Sequence, residues 1–167
     1  MNSYSPSHPT TASAHARVAK IHANATLIVM GFAVLIAIYT ALALFMVKGA
    51  ASSSAAQPRL TFLLIGLFLA GGSILLRRSQ FAAARLEAVA LTRGINSLIS
   101  HIFIITLISS GIGEAIGLLS LIVGIVGGEV REIVTLGIMG LIVVLSNYPR
   151  RAAWSKTVDF YAATLRE

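Results

Sequence analysis

Apolar residues in this chain do not alternate with polar ones; they gather into four long runs separated by short polar punctuation. Residues 26–47 pass without a charge and are closed by Lys48, and a run of about 22 residues is long enough to cross a bilayer as a helix. Residues 60–76 form a second, shorter run stopped by Arg77 and Arg78. The third stretch, 95–128, would make a helix near 50 Å long, more than the roughly 30 Å of a hydrocarbon core. Asn96, Ser97, Ser100 and His101 make its first turns the wetter ones, so its buried part is expected at 102–127. The fourth run covers 133–148 and is ended by Pro149, which lacks a backbone donor. The pattern predicts an all-α polytopic membrane protein with four transmembrane helices.

The segments between the runs carry their own signals. Residues 1–16 are rich in Ser, Thr, Pro, Ala and His and offer too little apolar surface to offset ordering, which predicts a mobile tail. A helical lead-in at 16–25 extends that polar N-terminal segment to residue 25. Residues 49–59, with three consecutive serines and Pro58, read as a loop. The Ala-rich stretch 79–93 bears Arg85, Glu87 and Arg93 and predicts a helical elbow. Gly127 and Gly128 before Glu129, Arg131 and Glu132 predict a tight turn. In 149–167, Trp154, Val158, Tyr161 and Leu165 recur at helical spacing. That predicts an amphipathic juxtamembrane helix, resting either in the membrane interface or on the protein's own inner loops.

Composition sharpens this picture: with 56% hydrophobic and 11% charged residues, the chain is not an ordinary soluble domain. A net charge of +7 raises the possibility of nucleic acid, but the cations sit beside the apolar runs instead of forming a basic domain. Arg17, Lys20, Arg77, Arg78, Arg85, Arg93, Arg150, Arg151, Lys156 and Arg166 fall on one side of the four runs; Lys48, Arg59 and Arg131 fall on the other. The positive-inside rule then places both ends in the cytoplasm, N-in and C-in. A multi-pass protein of the bacterial inner membrane is the expectation, with the lipid bilayer as partner and no nucleic acid. The first run far exceeds a signal-peptide core, which disfavours a cleaved leader ending near Ala56. Cysteine is absent, which removes disulfides and thiolate chemistry.

Of the six acidic residues, only Glu114 lies inside an apolar run. An ionised acid near the midplane costs about 2.5–3.5 kcal/mol on insertion scales, so this carboxyl is expected to be paired or protonated. Ser110, one turn away, could share a hydrogen bond with it. The same helix carries a seam of small residues, Ser109, Gly113, Gly117, Ser120, Gly124 and Gly127, which permits close helix approach. Glu114 falls about 100° from the middle of that seam and flanks it. Tyr148 and Trp154, with Arg77, Arg78, Arg150 and Arg151, read as interface anchors. His8, His15, His22 and His101 do not have a metal-ligand spacing; His15 and His22 are expected to be solvated and His101 to sit at the inner interface. No glycine-rich stretch is followed by the Lys and Ser/Thr of a phosphate loop, and no nucleophile, base and orienter come together. The chain therefore reads as a protein without catalytic machinery, metal or cofactor.

The stretch GEAIGLLSLIVGI, residues 113–125, resembles the carboxylate-bearing helix of proteolipid c subunits of rotary ATP synthases, preceded here by Arg77, Arg78 and Gln80 as in that family's polar hairpin loop. Leu119 and Ser120 stand where the family has Tyr-Gly, and the likeness covers about one hairpin. The second half, with NYPRRAAW at 147–154, also resembles small four-span bacterial membrane proteins with such a helix. The resemblance implies a proton or cation site at Glu114. The alternative left open is a structural or accessory subunit of a larger membrane assembly. In that reading the seam is a surface for self-association or another subunit, and Glu114 is an internal bond.

Overall fold

The computed structural model describes residues 11–47 and 57–164, with side chains described for 15–47 and 60–164. Among these residues the chain is all-helical: α1 spans Thr11–Val47, α2 Gln57–Gln80, α3 Ala83–Ile125, α4 Val130–Ser146 and α5 Arg151–Thr164. Three helical stretches, His15–Val47, Leu60–Gln80 and Ala83–Ile125, are long and apolar enough to cross a membrane. α4 and α5 meet the same test only as a pair, bent by 40° at the break between them. The expectations for residues 1–10, for most of the 49–59 loop and for Leu165 and Arg166 lie outside the described residues.

Boundaries differ from the sequence pattern in instructive ways. α1 is already helical at Thr11, inside the stretch expected to be a mobile tail. Its early turns gain a partner, because Val18, Ile21 and Ala25 pack into an apolar cluster with α3 and α5. Pro58, read as part of a loop, belongs to the first turn of α2, where its missing donor removes no intrahelical bond. The expected elbow is helical only in part, because Phe81 and Ala82 break it between the end of α2 and the start of α3; Gly94 then interrupts α3 with φ 76° and ψ 171°, a backbone region essentially reserved for glycine. α3 stops at Ile125, and Gly127 lies in the turn at φ 75°; it is thus not on the helical seam assigned to it. The turn leads into α4 through Glu129, whose backbone N–H donates to the Glu132 carboxylate at 2.9 Å. That is an acidic start suited to the positive end of a helix.

The contacts fix the arrangement. α1 runs parallel to α3, with Ile36 seated at Gly117 and Ala43 at Gly124. α2 runs antiparallel to α3: the Ser73 hydroxyl donates to the Ser109 carbonyl at 3.3 Å, while Gly66 faces Ile116. α4 is also antiparallel, with Gly140 against Gly113 and Gly117. α3 and α4 therefore form a central pair flanked by α1 and α2, whose backbones do not approach each other among the described residues. Their outward faces remain apolar, with Leu27 on α1 and Phe68 on α2 largely uncovered.

At the cation-rich end, α1, the start of α3 and α5 enclose their own cluster of Val18, Ala25, Leu86, Leu98, Trp154 and Tyr161. Tyr161 donates to the Ala83 carbonyl at 3.1 Å, and His15 pairs with Asp159 at 2.9 Å. Trp154 is 6% exposed, which corrects its assignment as an interface anchor: its ring meets that of His22 edge-on, centroids 5.7 Å apart. α5 rests on helices of its own chain.

Candidate functional site

Glu114 is partly buried near the middle of the apolar part of α3. Its hydrogen-bond partner comes from another helix: the Tyr39 hydroxyl donates to Glu114 Oε1 at 3.1 Å. Long side chains on a helix slope toward its N-terminus, so the phenol reaches back along α1 to the carboxyl. One residue on, Thr40 donates to the Ile36 carbonyl at 2.8 Å and lies 3.3 Å from the Ser120 hydroxyl. Ser120 in turn donates to the Gly117 carbonyl at 2.6 Å. These polar groups line up along the contact between α1 and α3.

Ser110 does not join this group. It is fully buried and its hydroxyl has no hydrogen-bond partner among the described residues, as is also true of Ser109. Proximity on the same helix was the reason to pair Ser110 with Glu114, but Ser110 faces the bundle interior whereas Glu114 sits where α1 can reach it.

The seam is occupied. A Cβ added at Gly117 would lie 2.5 Å from Ile36, one at Gly124 2.6 Å from Ala43, and one at Gly113 2.7 Å from Val144. Helices α1 and α4 of the same chain fill the face, so the seam is not a free surface for another subunit. Arg77, Arg78, Tyr148, Arg150 and Arg151 are exposed at the cation-rich end, and Arg77 donates to the Ser146 carbonyl at the end of α4. His22, expected to be solvated, is half-buried and donates from Nε2 to the Pro149 carbonyl at 3.0 Å. His101 is half-buried, its Nε2 without a hydrogen-bond partner among the described residues. Among the described residues no three His, Asp or Glu side chains group in a way that could hold a metal.

Tyr39 is the participant that sequence reasoning missed. The signal was available: within residues 26–47 the polar side chains are Thr26 and the adjacent Tyr39 and Thr40, the latter two deep in the run like Glu114 in its own. Chemically, a carboxylate accepts from a phenol, and a protonated carboxyl can donate to the phenol oxygen. The pair can therefore hold either protonation state without leaving a group unsatisfied. No protein-family profile, curated protein or solved structure matches the chain.

Proposed function

We propose that this is a non-enzymatic, four-span protein of the bacterial inner membrane, N-in and C-in, in which Glu114 takes up and releases a proton or small cation with Tyr39 as its hydrogen-bonding partner. The carrying observation is the 3.1 Å bond from Tyr39 to the one carboxyl set within an apolar run. Intramembrane carboxyls mark ion and proton pathways more often than chance placement would, and the likeness of residues 113–125 to the proteolipid c subunit supports the same role. In this reading α4, with 17 residues and so about 26 Å long, is the fourth span at the short end of the allowed range. α5 lies outside the bilayer among the cytoplasmic cations.

The test is reaction with an apolar carbodiimide in native membranes. The protonated carboxyl is the reactive form, so labelling at Glu114 should fall as pH rises. Glu114→Gln should abolish labelling and any proton-linked activity while leaving insertion and assembly normal. The same Tyr39 bond favours a second reading, a structural tie between α1 and α3 in an accessory subunit. That reading expects little loss with Gln but clear destabilisation with Leu, which leaves the Tyr39 hydroxyl without its partner. No labelling at any pH, together with full activity of Glu114→Gln, would decide for the structural tie.

Topology is tested separately, since the chain has no native cysteine. A cysteine at position 53 should react with an impermeant thiol reagent in intact cells, and one at position 79 only after permeabilisation. The reverse pattern would overturn the orientation.

A further inference from the structure

Two adjoining hollows open at the cation-rich end of the bundle. The larger, about 510 Å³, lies between α2 and α4 and runs from Arg77 and Arg78 along Ile74, Ile142 and Val143. The smaller, about 170 Å³, adds Arg150 and shares Arg77, Phe81 and Asn147 with the first. No carboxylate lines either hollow, and none of the three arginines forms an ion pair among the described residues. Arg77 is steadied by its bond to the Ser146 carbonyl, which leaves most of the five guanidinium N–H donors for another acceptor. The far wall is apolar and open to the surroundings, Ile74 being 53% and Ile142 61% exposed.

We propose that this groove binds an anionic phospholipid, its phosphate among Arg77, Arg78 and Arg150 and one acyl chain along Ile74, Ile142 and Val143. Charge complementarity selects the headgroup: Arg77 lines both hollows, Arg78 one and Arg150 the other, with no acid in either lining, and guanidinium pairs with phosphate through parallel N–H···O bonds. The apolar wall selects a lipid over free phosphate, because a small anion would leave Ile74 and Ile142 uncovered. Basic pockets between helices at a membrane face are recognised by anionic headgroups for the same reasons. The proposal stands apart from Glu114, which lines neither hollow.

The experiment uses the full chain purified in mild detergent and titrated with phosphatidylglycerol, phosphatidylcholine or inorganic phosphate. Bound lipid is counted by native mass spectrometry, and thermal unfolding is followed in parallel. Phosphatidylglycerol should be retained and should raise the unfolding temperature well above the effect of phosphatidylcholine, and added salt should weaken that preference. Arg77→Gln also removes a helix-end contact, so the decisive variants are Arg78→Gln and Arg150→Gln. Each should weaken retention by about fivefold while the lipid-free protein unfolds at the unchanged temperature. Equal retention of the two lipids, unchanged retention in the double variant, or stabilisation by inorganic phosphate matching that by phosphatidylglycerol would overturn the proposal.

Discussion

Tyr39 and Glu114 stand 75 positions apart in the chain and meet through a single hydrogen bond. Replacing Tyr39 by Phe keeps the ring and removes only the donor, so it should lower the unfolding temperature in detergent slightly. If the pair is a working proton site, Tyr39→Phe should also impair any proton-linked activity of the native membranes; a merely structural bond predicts the stability loss alone. Glu114 was legible in the sequence because a charge in an apolar run cannot hide. Its partner was not, because a tyrosine hydroxyl looks the same whether it faces lipid or a carboxyl. Ser110 misled for the opposite reason: closeness along one helix is visible in a sequence, but the direction a small side chain faces depends on the helices packed around it. His22 and Trp154 show the same limit, since both look like surface groups until α1, α3 and α5 close over them.

The apolar runs were legible, but α1, α2 and α3 continue past the charges that bound those runs, with Arg17 and Lys20 inside α1, Arg77 and Arg78 inside α2, and Arg85 and Arg93 inside α3. What escaped was the support that neighbours give, as when α5 turns the polar-looking start of α1 into packed helix. The seam was visible as a spacing of small residues, yet not which helices fill it, because that requires their order in space. The glycines now separate into two kinds. At Gly140 a Cβ would lie 2.7 Å from the Gly113 carbonyl oxygen, a backbone atom that cannot swing aside. Gly140→Ala should therefore destabilise the bundle by about 1–3 kcal/mol. Gly71 has open space around the same position, so Gly71→Ala should be neutral or stabilising by up to about 1 kcal/mol; thermal unfolding of the two variants side by side checks the contrast. Gly94→Ala should cost about 1–3 kcal/mol through backbone strain at φ 76°, ψ 171°. Part of that strain can be relieved by straightening α3, which a spin-label distance across residue 94 would detect.

For the whole molecule, the placement of helices has a consequence in time. A chain is made from its N-terminus and its domains begin to organise as they emerge, yet the backbones of α1 and α2, which precede α3 and α4, do not approach each other among the described residues. Their partners, α3 and α4, are synthesised after them. During that interval two apolar helices reside in the bilayer as independent lodgers, with no tertiary structure to hold them. Close packing begins only when α3 arrives and offers Gly117 and Gly124 to Ile36 and Ala43. A chain truncated after residue 80 should thus insert but resist no added protease beyond what the membrane itself shields, and cysteines placed on α1 and α2 should not cross-link efficiently. Supplying the remainder of the chain as a separate polypeptide should restore protection of both helices together. In this arrangement the α3–α4 half supplies the close packing against which α1 and α2 settle.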